Sequence, residues 1–285
     1  MSPLQNVCRV ALSAFVAGTA FALATARPAQ AQSVVFNEIL FDVPSDDNGF
    51  EYIELLSATP NTALTGLTLV ILEGENVPAG TIDQAISLSS FTTGSNGLLL
   101  LRDSVNTAAS DPNTNVVTAD FSPDIENGAN TYLIVSGFTG TVGTDYDTNA
   151  DGVLDSTPWS SVISGIGYID NSSGSGGTDY VYDLPGVEVI GPRTGSPNGG
   201  GVVLPNAFAR IGGVGYVFRV IGTPPGPYTV NPAATSGAGA IGYTLTPGGA
   251  NVSAVTVPET GSVALLGAGV LTGVGVLLRR RRVAA

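Results

Sequence analysis

The sequence predicts an all-β protein, a β-sandwich with long loop insertions and a signal helix at each end. Three observations carry this prediction. Val, Ile, Thr and Tyr recur in short runs; Gly and Pro, 38 and 18 of the 285 residues, separate those runs; and charged residues make up only 12%. Such a composition belongs to secreted all-β domains rather than helical ones. Roughly 200 residues between the two ends suffice for one large sandwich with its own core.

At the N-terminus, Arg9 precedes an apolar run from Val10 to Ala26, and Ala29-Gln30-Ala31 forms an A-x-A cleavage pattern. Residues 1–31 therefore read as a secretory signal peptide, with the mature chain expected from Gln32. The single cysteine, Cys8, falls in the discarded part and lacks a lipoprotein context, so no disulfide framework is expected.

The strand candidates follow in order. Val34 to Phe41 and Phe50 to Ser57 alternate or run apolar over strand length across the turn-rich "DVPSDDNG", and are expected to pair. "LTLVILEG", "GLLLLR" and "TYLIVSGF" are continuous apolar runs, the pattern of strands covered on both faces or lining a sandwich interior. "WSSVISGIGYID", "DYVYDL", "FARIGG" and "YVFRVI" complete the set. Loops are expected over 103–115, 143–151 and 170–179, and only Asp83 to Leu88 has the look of a helical turn. Trp159, the sole tryptophan, is expected to plug the sandwich core. Beyond Pro232 the chain is small and uncharged, which predicts a flexible stalk over 233–256, with a last strand around Ile241 to Leu245 as a variant of that reading.

Between Gln32 and Val257 stand 22 acidic residues against four basic ones, Arg102, Arg193, Arg210 and Arg219, a net −18. A surface of this sign repels phosphate backbones, so nucleic acid is excluded as a partner. Histidine and lysine are absent throughout. This removes the commonest general base, imidazole ligands and the Schiff-base amine, and with no mature cysteine the thiolate nucleophile goes too. The chemistry left open is a carboxylate pair or a metal held by oxygens alone. A non-catalytic protein is expected.

The C-terminal end carries Val257-Pro258-Glu259-Thr260-Gly261, then seventeen uncharged residues from Ser262 to Leu278, then Arg279 to Arg282. As a helix those seventeen residues reach about 25 Å, enough to span a bilayer, and the arginines stay cytoplasmic. Either a permanent tail anchor or a cleaved signal fits. This region, 257–285, resembles the PEP-CTERM sorting signals of Gram-negative bacteria: Pro258 and Glu259 match, although Thr260 stands where that family has its second proline. Val257 to Gly261 is also similar to the Leu-Pro-x-Thr-Gly site of Gram-positive sortase substrates. The short Gly-rich helix and the pure arginine tail favour the first. That resemblance implies an inner-membrane sorting protease or transpeptidase of exosortase type as partner, transient anchoring in the inner membrane, and delivery to the cell surface or medium.

Phe36-Asn37-Glu38-Ile39, Glu51-Tyr52-Ile53-Glu54-Leu55 and Leu64-Thr65-Gly66-Leu67-Thr68-Leu69 resemble, in that order, the opening of a lamin tail domain. Ala209-Arg210-Ile211-Gly212-Gly213, Tyr216 to Phe218, Pro225-Gly226 and Asn231 resemble its close more loosely. The resemblance implies an immunoglobulin-like β-sandwich over residues 32–232, with a long central insertion and no catalytic residues of its own.

Glu38, Glu51 and Glu54 are read in two ways. The first puts them on the solvent face of paired strands. The second gathers Glu38 and Glu54 with Asp42, Asp46 or Asp47 around a cation, and Arg210 is a further candidate partner for Glu54. "DTNADGVLD" supplies the first three-quarters of an EF-hand calcium loop: Asp147, Asn149 and Asp151 at alternate positions, the Val153 carbonyl at the seventh and Asp155 at the ninth. Pro158 occupies the twelfth position, so the bidentate Glu is missing, and Asp145, Asp155 or water completes the shell. A structural calcium ion of modest affinity is expected there.

These observations converge on an exported surface or matrix protein, an adhesion or exopolysaccharide-associated module stiffened by calcium. Two alternatives remain: a carbohydrate- or protein-binding module, which exposure of Tyr180, Tyr182 and Tyr228 together on one face would favour, and a carboxylate- or metal-dependent hydrolase.

Overall fold

The computed structural model describes residues 34–251 except 45–48, 76–77, 120, 123, 127, 170–177, 191–193, 196–204 and 237–242. The expected signal peptide, the sorting motif with its helix and arginines, and Asp46, Asp47 and Arg193 lie outside the described residues.

Alternation and β-branching produce strands at each place the sequence marks. In chain order they are β1 (Val35–Leu40), β2 (Tyr52–Leu56), β3 (Leu67–Glu73), β4 (Ile82–Ser87), β5 (Leu98–Arg102), β6 (Asn115–Thr118), β7 (Asn130–Ser136) and β8 (Ser161–Tyr168). Then come β9 (Asp179–Tyr180), β10 (Val187–Ile190), β11 (Thr194–Gly195), β12 (Ala207–Ile211), β13 (Val214–Ile221) and β14 (Thr229–Ser236). Seven strands form one sheet in the order β14-β13-β12-β1-β2-β5-β6, and five form a second, β10-β8-β7-β3-β4; β9 and β11 make a small ribbon. Most pairs are antiparallel, but β6 runs parallel to β5 and β10 parallel to β8. The described residues are thus an all-β sandwich, the expected class, and no helix among them is long and apolar enough to cross a membrane.

The core lies between the sheets. Phe36, Ile39, Phe41, Ile53, Leu55, Leu99, Leu101 and Phe208 from the first meet Leu69, Ile71, Tyr132, Ile134, Ile166 and Tyr168 from the second. Phe41 stacks on Tyr168 at 4.6 Å between ring centroids, and Tyr132 lies edge-on to Phe36 at 6.3 Å. Phe36 and Ile39 share the inner face because the β1–β2 register slips between Phe36 and Glu38; this bulge at Asn37 turns Glu38 outward with Leu40.

Both outer faces are also covered, which explains the continuous apolar runs. On the second sheet, Val70, Leu72, Leu133 and Val135 pack under Tyr182, with Phe138, Tyr146, Leu154 and Trp159 of the long 137–160 connection laid over them. Trp159 is only partly buried there, so it lids the outer face rather than plugging the inter-sheet core. On the first sheet, Leu40, Tyr52, Leu100 and Phe218 are covered by Tyr228, Tyr243 and Leu245.

Two expectations are corrected. Residues 83–88 are not a helical turn: β4 pairs along β3 from Thr68↔Ser87 to Leu72↔Ile82, because an extended, bulged strand lets Ile82 join the outer apolar cluster and Ile86 the inter-sheet core. The segment read as a stalk is not free of the domain: β14 continues through Ser236, and Tyr243 and Leu245 are at most 4% exposed, docked against the first sheet. Two aromatic and aliphatic side chains with an apolar face to cover outweigh a flexible composition. The loop expected over 103–115 is found, and the short "NVVT" that follows it adds a strand the sequence did not mark, β6.

Candidate functional site

The buried carboxylates group in two places, one on each side of the first sheet. On its outer face Glu38 and Glu54 are direct cross-strand partners of β1 and β2, and both are 0% exposed. Glu38 accepts hydrogen bonds from the hydroxyls of Tyr52 and Tyr243, and from the Thr246 amide at 2.9 and 3.1 Å to its two oxygens. Glu54 accepts from the Asn37 side-chain amide and the Gly248 backbone amide. Asn251 closes the network by donating to the carbonyls of Asn37 at 2.7 Å and Arg210 at 3.3 Å. Residues 243–251 therefore form a latch over the sheet, and its polar anchors are the two carboxylates.

Burial dominates the electrostatics of this pair. Loss of water pushes the Glu38 carboxyl up to about 7 despite four donated hydrogen bonds that favour its charge. Burial, followed by the neighbouring Glu38 charge, holds Glu54 well above the usual carboxylate range. The solvent-face reading of Glu38, Glu51 and Glu54 is corrected: all three are buried. A cation between Glu38 and Glu54 is not needed, because protein donors occupy their oxygens. Asp42 instead accepts from the Asn206 side chain. Arg210 does not pair with Glu54 either. Its guanidinium reaches Glu188 of β10 at 2.7 Å and the carbonyls of Phe36 and Gly213 at 3.1 Å, tying β12 of the first sheet to the edge strand β10 of the second.

The second group sits between the sheets at one end. Inward-facing Glu51, at the start of β2, and Asp103, just past β5, come from the first sheet; Glu73, at the end of β3, and Asp83, in β4, come from the second; Asp124 and Glu126 belong to the connection into β7. Burial, reinforced by Asp103, pushes Glu51 up to about 9; burial, reinforced by Glu126, pushes Glu73 up to about 9; burial also lifts Asp83 to about 7. The Tyr132 hydroxyl feels the charges of Glu51, Asp83 and Glu73 together.

The aspartate loop packs near this end, where Asp145 bridges to Thr81, the residue before β4. Asp147 is buried, and its carboxylate accepts from the amides of Asp151 (3.1 Å) and Gly152 (2.9 Å) and from the Tyr182 hydroxyl (3.0 Å). Asn149 donates to Asp151 at 3.0 Å, Asp151 also accepts from the Val153 amide at 2.9 Å, and the exposed Asp155 accepts from both the amide and hydroxyl of Thr148. Gly152 is required: its φ is +82°, and a Cβ there would lie 2.5 Å from the Tyr180 ring. The loop geometry is thus held by hydrogen bonds within the chain.

Tyr182 and Tyr228 are buried on opposite outer faces and Tyr180 is partly covered, so the three do not make one exposed aromatic platform. A groove of 460 Å³ runs beside the latch instead, bordered by Thr107, Asp111, Pro225, Tyr228, Leu245 and Pro247. Sequence reasoning missed the latch and the inter-sheet acids. The available signal was that Glu38 and Glu54 share their face with Leu40 and Tyr52, and a face with such neighbours has to be covered. No family model matches the chain, and no curated protein matches its sequence.

Proposed function

We propose that this is an exported, non-catalytic surface or matrix protein, a lamin-tail-like module of immunoglobulin-like type that serves in adhesion or exopolysaccharide-associated structure. In this reading residues 1–31 direct export, and Val257 to Gly261 are cut by an inner-membrane sorting protease or transpeptidase. Asp147, Asn149, Asp151, Asp155 and the Val153 carbonyl hold a structural calcium ion.

The observation that carries the reading is the sealing of the Glu38–Glu54 pair. This cross-strand carboxylate pair is inaccessible to substrate beneath residues 243–251, so its role is to hold the covering segment in place. The same covering segment includes Asn251, a few residues in sequence before the sorting motif. A rigid body close to the cut site suits a protein displayed as a module. The groove beside Tyr228 and Leu245 favours one second reading, a carbohydrate-binding module; selective retention of glycans by the purified chain, abolished by Tyr228→Ala, distinguishes it.

The test is the intact mass of the protein recovered from its own cell envelope. The reading expects a chain starting at Gln32 and ending within Val257 to Gly261. A mass that retains Arg279 to Arg282 contradicts it.

A further inference from the structure

We propose that the inner end of the sandwich, where Glu73, Asp83 and Glu126 converge beside Asn130, binds a hard divalent cation, calcium by the character of its donors. This site is separate from the aspartate loop and does not depend on the function proposed above.

The convergence is a product of the fold. Glu73 and Asn130 are direct partners across β3 and β7, so both side chains project from the same face, toward the inter-sheet space. In β4 the register slips so that Ile71 faces Gln84 while Leu72 faces Ile82, which makes Asp83 the extra, bulged residue. Bulges re-aim side chains in this way. The connection into β7 then brings Glu126 over the opening. One oxygen from each of Glu73, Asp83 and Glu126 lies within 4.8 Å of the others. Ligands on opposite sides of one calcium ion are separated by about that distance, since each Ca–O bond is about 2.4 Å.

Acidic side chains that cluster do not by themselves make a site; the unsatisfied oxygens around them point to a ligand. Asn130 is 0% exposed, and its side-chain amide donates to the carbonyls of Glu126 at 2.9 Å and Gly128 at 3.4 Å. That fixes its orientation and leaves its Oδ1, a buried carbonyl oxygen, with no donor. Asp83 Oδ2 and Thr81 Oγ1 are buried in the same condition. On the facing sheet, Glu51 is 0% exposed, and the side chain it hydrogen-bonds to is another carboxyl, that of Asp103.

Buried polar atoms are ordinarily paired, and each left unpaired is costly. Here Asn130 Oδ1 and Asp83 Oδ2 belong to residues at or beside the Glu73–Asp83–Glu126 convergence, and both are oxygens. Arginines do not resolve this: among the described residues Arg102 donates to the Ala108 carbonyl and Arg210 pairs with Glu188. A hard cation satisfies several such oxygens at once. With neither histidine nor mature cysteine in the chain, the donor set is oxygen only, which favours calcium over zinc or copper. Glu126 is exposed and Asp83 partly so, giving the ion a route from solvent.

The experiment is calcium titration of the chelator-treated full chain, by calorimetry and by tyrosine-sensitised terbium luminescence, for which Tyr132 is the nearby donor. Uptake is expected in the unaltered protein and in Asp151→Ala. Affinity is expected to fall about tenfold or more in Asp83→Asn and in Glu126→Gln. Because Glu126 is at the surface, its variant folds normally and keeps the test decisive even if Asp83→Asn is unstable. Absence of uptake at millimolar calcium overturns the proposal. So does uptake abolished by Asp151→Ala and unchanged in Glu126→Gln.

Discussion

Replacing Glu38 by alanine is expected to destabilise the protein by about 3–5 kcal/mol, because three enclosed donors lose their acceptor at roughly 1–3 kcal/mol each. The substitution removes the acceptor for the Tyr52 and Tyr243 hydroxyls and the Thr246 amide, all of which stay enclosed. It also leaves a void beneath the latch, whose lining loses its contacts. Glu38→Gln keeps the volume and one acceptor oxygen and is expected to cost less than half as much. Urea denaturation of the two variants beside the parent measures both effects. Equal costs for alanine and glutamine contradict a network centred on this carboxylate, as does a loss below about 1 kcal/mol for alanine, the size of one ordinary hydrogen bond.

The same residue sets the second large effect, a loss of stability toward alkaline pH. Glu38 rises from 4.5 in the unfolded chain to about 7 in the fold, so between these values the folded state holds a proton that the unfolded chain has released. Stability therefore falls as pH rises through that window. The Glu38 contribution is fully present below about 4.5 and is lost as pH rises through about 7. The loss is on the order of 3 kcal/mol, from a 1.36 kcal/mol weight for each factor of ten in proton affinity. Glu54 reinforces the sign, since burial and the adjacent Glu38 charge also hold it protonated. The check is the difference in unfolding free energy between the parent and Glu38→Gln, in chelator, at pH 4.5 and pH 8. That difference is expected to move against the parent as pH rises. A difference that is flat, or that moves in the parent's favour, contradicts the assignment.

Much of the sandwich was legible because it rests on local signals. Alternation in "VVFNEILF" and "FEYIELLS" specifies β1 and β2, and uninterrupted runs such as "TYLIVS" mark strands sheltered on both faces. What failed to show depends on residues distant in sequence. Tyr243, Thr246 and Gly248 reach Glu38 and Glu54 from about 200 positions away, and nothing local to residues 243–248 signals that they will dock. Small uncharged residues look like a linker until the face they cover is known. Asp83 was misjudged for a related reason. Its neighbours lack clean alternation because the strand is bulged there, and the bulge is what turns Asp83 toward Glu73 and Glu126. The aspartate loop shows the opposite behaviour. Asp147, Asn149, Asp151 and Gly152 carry their geometry in their spacing, and Gly152 takes the left-handed conformation that the pattern demands.

The central physical claim is that the folded body extends through residue 251 and is closed by its own C-terminal segment over two buried carboxylates. Amide hydrogen exchange at Thr246 and Gly248, in the native protein at mildly acidic pH, addresses it most directly. Both amides donate to enclosed carboxylate oxygens, so protection comparable to that of β1 is predicted. Exchange at free-chain rates at both positions contradicts the latch, and with it the sealing of the Glu38–Glu54 pair.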